Sequence, residues 1–249
     1  MIYNEDCLEG MKRIESGSVD MILTDLPYGI TDCPFDVRIP FEPMWEQFKR
    51  VTKRNAAILL FSQMPFGAEL IMSNRKMFRY EWIWEKSLPV GFLNCNKMPL
   101  RKHENVLVFY QQLPTYNPQF TKGKPYKKPA YDGKRTQNYN LSTDRTEAVA
   151  YDGTRYPTDL IKFNSGQTHT HCFSMHAQRK PTDLLEYLIK TYTNAGELVL
   201  DATMGSGSTG VACLNTDRNF IGFETDKKFF RTSEERLMAV QAKKAQELF

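Results

Sequence analysis

A strand that ends on an acid and turns through glycines into a helix limits what a chain can become. The run Leu198-Val-Leu-Asp201-Ala-Thr-Met-Gly205-Ser-Gly207-Ser-Thr-Gly210 has that form. Only glycine lets a backbone turn so tightly and come close to a ligand. A second apolar strand, Asn219-Phe-Ile-Gly-Phe-Glu224, closes on a carboxylate 19 residues beyond Gly205, placed to accept hydrogen bonds from a ribose diol. Read literally, the turn also satisfies the dinucleotide fingerprint G-x-G-x-x-G with an acid about 20 residues on. A nicotinamide- or flavin-dependent oxidoreductase is therefore the competing reading, and a glycine-rich turn that holds nothing is the plain alternative. Asp201 weighs against a pyrophosphate, which a carboxylate at the strand end repels; it suits the ammonium of an amino-acid moiety. S-adenosylmethionine carries that ammonium.

The same alternation of short apolar strands and helical patterns runs along the chain. Strands are predicted at Ile2–Asn4, Val19–Thr24, Ala56–Phe61, Tyr80–Trp84, Asn105–Tyr110, Leu198–Asp201 and Phe220–Glu224. Helices are predicted near Leu8–Ile14, Pro43–Val51, Phe66–Ser73, Pro181–Tyr192, Gly207–Leu214 and Asp226–Ala242. Runs such as Ala56-Ala-Ile-Leu-Leu-Phe61 lack in/out alternation, as expected for strands covered by helices on both faces. The expected class is α/β with a mostly parallel twisted sheet, and ligands then belong at the carboxyl ends of the strands. With 249 residues and 41% hydrophobic side chains, the chain suffices for one domain, or for a core with a modest insertion. No run approaches the roughly 18 apolar residues of a membrane span, and the start lacks a basic region leading into an apolar stretch. No membrane contact and a cytoplasmic setting are expected. Five cysteines without a CxxC pair fit reduced thiols.

A second motif, Val19-Asp-Met-Ile-Leu-Thr-Asp25-Leu26-Pro27-Tyr28-Gly29, delivers an acid, a backbone carbonyl beside proline and an aromatic ring to the end of an apolar strand. Such a tetrad can grip a planar amine. Asp25 and the Leu26 carbonyl accept the two amine protons and Tyr28 stacks on the ring, as a flipped base is read in a pocket. A strand-ending turn is the ordinary alternative.

Charge is uneven. Residues 111–165 hold nine Lys or Arg against five acids, while the rest of the chain balances at 24 against 24. The block also holds six tyrosines and five prolines and reads as loops on a scaffold. Its cations, Lys122, Lys124, Lys127, Lys128, Lys134, Arg135 and Arg155 among them, can pair with phosphates while the interleaved rings stack on bases or pack the loop. A solvated charged loop is the competing reading. His169, His171, Cys172 and His176 have no zinc-like spacing, and no metal is expected. Trp45, Trp82 and Trp84 are expected in the core or in a pocket wall.

Taken together, these motifs resemble the amino-methylating DNA methyltransferases of the circularly permuted beta class. In that class a D-P-P-Y tetrad comes first, a target-recognition region lies in the middle and a D-P-F-x-G-S-G cofactor turn comes last. Asp25-Leu-Pro-Tyr28 resembles the tetrad, His103-Glu104-Asn105-Val-Leu-Val-Phe a later core strand, His176-Ala-Gln-Arg-Lys180-Pro181 the H-P-T-Q-K-P lead-in to a helix, and Asp201-Ala-Thr-Met-Gly-Ser-Gly the cofactor turn. Glu224 matches the ribose acid, and Glu5-Asp6-Cys7 the segment bordering the cofactor's adenine, with Asp6 taking its amine.

The resemblance implies a Rossmann-like methyltransferase fold in permuted order, with a catalytic and cofactor core at 1–110 and 176–249 and a target-recognition insertion at 111–175. It implies S-adenosylmethionine as cofactor, held by Asp6, Cys7, Asp25, Lys180, Asp201, Ala202, Thr203, Gly205, Ser206, Gly207 and Glu224. Double-stranded DNA is the implied substrate, with the N6 amine of adenine as acceptor and N4 of cytosine as the alternative. In the family an acid at the first tetrad position goes mainly with adenine. Catalysis falls to Asp25, Leu26, Pro27 and Tyr28. A homodimer and a cognate restriction enzyme stand as further candidate partners. Two departures matter. Leu26 replaces a proline but still offers its carbonyl, and Ala202-Thr203-Met204 removes an aromatic wall beside the cofactor.

Overall fold

The computed structural model describes residues 1–30, 36–130, 148–164 and 179–247. In chain order the elements are β1 (Ile2–Tyr3), α1 (Cys7–Met11), β2 (Val19–Thr24), α2 (Phe41–Val51), β3 (Thr52–Ser62), α3 (Phe66–Ser73), β4 (Phe78–Val90), a 3₁₀ turn (Phe92–Asn94), β5 (Arg101–Phe109), β6 (Thr121–Lys122), β7 (Tyr126–Lys128), β8 (Val149–Tyr151), β9 (Thr154–Arg155), β10 (Leu160–Phe163), α4 (Thr182–Tyr192), β11 (Leu198–Asp201), α5 (Ser208–Asn215), β12 (Asn219–Phe223) and α6 (Lys227–Glu247).

Two compact units result: residues 1–117 with 159–249, and Pro118–Thr158. The larger is built on one sheet of order β1-β12-β11-β2-β3-β5-β4-β10. Pairing is parallel except where β5 runs against β3 and β4. This is the α/β class expected, with helices on both faces. Residues alternate between two cores: Ile22, Ile58, Leu60 and Phe109 pack with Met44, Trp45 and Phe48 of α2, while Met21, Leu23, Leu59 and Val108 pack with Leu184, Leu188 and Tyr192 of α4. In α2, Met44, Trp45, Phe48 and Val51 recur at helical spacing and are all buried. At about 1.5–3 kcal/mol for each fully buried large apolar side chain, this double-sided burial dominates stability. Trp45, Trp82 and Trp84 are buried, their indole N–H groups donating to Ser73 Oγ, Tyr192 Oη and the Phe163 carbonyl.

The smaller unit, Pro118–Thr158, lies within both the 111–165 basic block and the 111–175 insertion that the resemblance implies. Asn117 belongs to the core because its amide and side chain bond the backbone at the end of α4, and β10 belongs there because it pairs with β4. The unit is also more than loops: β6 pairs with β9 and β7 with β8. Tyr126 and Tyr151 stack at 4.9 Å. Arg155 lies over Tyr126, and Lys128 over both rings. Lys134, Arg135, the histidines at 169, 171 and 176, and Cys172 lie outside the described residues. Among the described residues, no helix is long and apolar enough to cross a membrane and no metal-like His/Cys/Asp/Glu cluster occurs.

Candidate active site

Because β1, β2, β3, β11 and β12 run the same way, their carboxyl ends share one edge of the sheet, and there a cavity of about 560 Å³ opens. Of the residues expected from sequence, Asp6, Cys7, Asp25, Pro27, Lys180, Asp201, Ala202, Thr203, Gly205, Ser206 and Glu224 line it. Leu26, Tyr28 and Gly207 do not.

One end of the cavity is the glycine turn. Gly205 and Gly207 both have positive φ, and Gly207 is the N-cap residue of α5. The Gly205 N–H donates to Glu224 Oε2 at 2.9 Å and the Asp226 N–H to Oε1 at 2.8 Å, so the turn and the end of β12 fix the acid between them. Burial raises the Glu224 pKa. Asp201 Oδ1 accepts from Thr24 Oγ1 at 2.8 Å and from the Thr203 N–H at 3.1 Å. Burial pushes the Asp201 carboxyl up to about 6 despite those donors. Asp6 caps α1, its Oδ1 accepting the Leu8 and Glu9 N–H groups. Cys7 is buried and its thiol is pushed up to about 12, which leaves it a packing group. Arg236 donates to the Ser206 carbonyl at 2.5 Å. Arg179 lines the cavity with its Nε buried and without a hydrogen-bond partner among the described residues, a donor available to an anionic group.

At the other end is the tetrad. The Tyr28 hydroxyl donates to Asp25 Oδ1 at 2.8 Å, and its ring stacks on Phe66 at 4.9 Å. Lys180 Nζ donates to Asp25 Oδ2 at 2.5 Å. The Leu26 side chain is buried in the core, an anchorage that leucine supplies at the place of the first proline in the D-P-P-Y pattern. The two ends are stitched together, since Thr203 Oγ1 donates to the Asp25 carbonyl at 2.9 Å and lies 2.8 Å from Thr24 Oγ1. Thr203 thus joins the two strand ends through its hydroxyl.

Sequence reasoning missed the charged floor beneath Asp25. Lys180 lies 3.3 Å from Glu104 Oε2 and 5.0 Å above the Phe61 ring. Glu104 is buried, also paired with Lys86, and Gln63 donates to it at 3.1 Å. Burial alone would depress the Lys180 ammonium, yet Asp25 and Glu104 hold it above the ordinary lysine range. The available signal was a charged residue in the apolar strand β5, opposite the equally charged end of β4. An aromatic wall also survives the loss of the family's phenylalanine, because Phe61, Phe223 and Phe229 line the cavity from other elements.

Residues 19–235 match the family described as DNA methylase, of the N6/N4 type. Type II methyltransferase M.HpaI of Haemophilus parainfluenzae is 26% identical over 93% of this chain and 72% of its own. The DNA adenine methyltransferase YhdJ of Escherichia coli is 25% identical over 99% and 85%. Among solved structures, the M1.HpyAVI complex with SAM superposes with a TM-score of 0.60 at 22% identity, covering 95% of this chain and 98% of that one. The cytosine-N4-specific PvuII DNA methyltransferase gives 0.65 at 14%, covering 96% and 90%. These likenesses bear out the methyltransferase fold and set aside the oxidoreductase reading of the glycine turn: the chain belongs to the N6/N4 DNA methylase family and is a DNA methyltransferase.

Proposed function

We propose that the chain methylates the exocyclic N6 amine of adenine in double-stranded DNA, on a base turned out of the helix. The observation that carries this reading is that Asp25, beside the Leu26 carbonyl, shares one cavity with Asp201 and Glu224 and is tied to Asp201 through Thr203 and Thr24. The cofactor is S-adenosylmethionine, which when bound supplies a methyl on a sulfonium. Its chemistry fits the side chains present: Glu224 would accept from the ribose diol, Asp6 from the adenine amine and Asp201 from the ammonium, while Arg179 would donate to the carboxylate. Ala202, Ser206 and Gly207 shape the turn, and Cys7 lines the cavity from the start of α1.

The amine nitrogen of adenine is a weak nucleophile because its lone pair is delocalised into the ring. Asp25 and the Leu26 carbonyl accept its two protons, make the nitrogen more tetrahedral and aim the lone pair. Pro27 sets the backbone of the tetrad, and Tyr28, stacked on Phe66 beside Asp25, would pack against the base once it enters the cavity. In the in-line displacement the S–CH₃ bond would break as the N–CH₃ bond forms, a neutral thioether would leave, and Asp25 or water would take the surplus proton, with no covalent enzyme intermediate. The unit Pro118–Thr158, with Lys122, Lys124, Lys127, Lys128 and Arg155, serves target recognition. An acid at the head of the tetrad and the adenine-methylating E. coli relative favour adenine.

Mass spectrometry of DNA digested after incubation with the chain and S-adenosylmethionine is expected to show N6-methyladenine. Recovery of N4-methylcytosine alone overturns the base assignment and leaves the role of Asp25 standing.

A further inference from the structure

The hairpin joining β4 to β5 exposes apolar side chains where a soluble surface ordinarily does not. Leu93 is 98% exposed, Phe92 75% and Met98 55%, and every residue from 91 to 103 lies on the surface. The tip is built rather than slack. Glu85 pairs with His103, the register then shifts, and Val90 pairs with Arg101. Gly91, at φ +93°, starts the 3₁₀ turn, and the Cys95, Lys97 and Met98 N–H groups donate to the carbonyls of Phe92, Asn94 and Asn94.

Its position is fixed by the sheet. β4 runs parallel to β2 because both are related through β3 and the antiparallel β5, so the tip leaves the edge on which Asp25 sits. Glu104, which pairs with the Lys180 that holds Asp25, lies about 10 Å of strand from Arg101. No acid occurs between Glu85 and Glu104, whereas Lys97, Arg101 and Lys102 do. An apolar tip flanked by cations and free of acids is complementary to stacked bases between phosphates, and not to a cationic or purely apolar partner.

We infer that the tip of the β4–β5 hairpin, led by Phe92 and Leu93, is a wedge that enters the DNA stack beside the target base and fills the gap left when that base turns out. The inference rests on the DNA-methylation reading above. Apolar side chains inserted between base steps unstack them, and lifting a base from a paired stack requires free energy that is smallest when the base is already mismatched.

The test uses the full chain, the variant F92S/L93S, and oligonucleotide duplexes carrying the site mapped by sequencing DNA that the parent has methylated. On paired duplex the variant is expected to methylate about tenfold or more slowly and to lose the fluorescence rise of 2-aminopurine placed at the target position. Its calorimetric affinity for S-adenosylmethionine stays unchanged. With a mismatch opposite the target, its rate returns to within about twofold of the parent's. A variant equal to the parent on paired duplex overturns the wedge. So does an equal loss on both duplexes, or a parent dimer that light scattering shows the variant dissolving, since the face would then serve self-association. A parent that methylates no DNA fails the underlying reading instead, and is seen before any variant is made.

Discussion

Asp25 accepts from Tyr28 on one oxygen and from Lys180 on the other, and each carboxylate oxygen retains a lone pair for a substrate amine. It is positioned before any substrate arrives. Asp25→Ala is expected to abolish methyl transfer with cofactor affinity near normal, whereas Glu224→Ala should weaken cofactor binding first, by about 1–3 kcal/mol for hydrogen bonds to a charged group. Calorimetric titration that found the reverse pattern would break the assignment. Glu104 acts one layer deeper. Glu104→Gln leaves Lys86 and Lys180 short of a shared charge in a buried place, so unfolding in urea should show a loss of about 3 kcal/mol. Methyl transfer should fall with it, while the KM for cofactor stays put; a large KM rise would assign Glu104 to cofactor binding instead. Asp201 supplies a pH dependence. Burial raises its pKa on folding, so its contribution to stability is full below the ordinary carboxylate range and is lost as pH rises through about 6. Attraction for an ammonium runs the other way. Cofactor affinity should rise between about pH 5 and 7 and lose that slope in Asp201→Asn. A parent with a flat profile would show that Asp201 meets no cation.

At the scale of elements, the two glycines of the turn do different jobs. A Cβ on Gly207 would sit 2.8 Å from the Ser233 Cβ in α6, on top of a φ of +76°. A Cβ on Gly205 meets no heavy atom of the described residues within 4 Å, although its φ is +52°. Gly205→Ala should therefore cost about 1–2 kcal/mol of backbone strain alone, yet lose more cofactor affinity than stability because the methyl enters open cavity. Gly207→Ala should lower the melting temperature further; equal losses in the two variants would contradict the packing argument. Elements with strong local signals were readable in sequence. The apolar runs of β2, β3, β11 and β12 and the helical stripes of α2 and α4 announce themselves because each must bury a face. The reversed direction of β5 was not readable, since apolarity carries no sign of pairing sense. Nor was β10, a four-residue edge strand too short to show a period and set inside the basic, proline-bearing block. In the site, the glycine turn, Asp25 and Glu224 stood out because backbone strain or an acid ending an apolar run is rare. The Lys180–Glu104–Lys86 chain did not, because only the fold brings residues from β4, β5 and the lead-in to α4 together.

For the molecule as a whole, charge distribution decides how it meets a polyanion. The core is close to neutral and the surplus of Lys and Arg falls within 111–165, where Lys122, Lys124, Lys127 and Lys128 are all exposed. Lys122 pairs with Asp152 at 3.0 Å, with both side chains exposed, and an ion pair of that kind is weak enough to exchange for a phosphate. Lys128 already lies over Tyr126 and Tyr151 and holds a defined place. If the unit tracks the DNA backbone, the logarithm of affinity should fall with the logarithm of salt by about 0.9 per phosphate neutralised. Replacing the four lysines with glutamine should then flatten the slope by about 2–4, and binding measured at low salt should weaken alike for any duplex, because phosphate contacts carry no sequence. Fluorescence anisotropy across a salt series separates the outcomes. An unchanged slope would move the electrostatic footprint off this unit, and a slope that flattens for only one DNA sequence would make these lysines readers of bases instead.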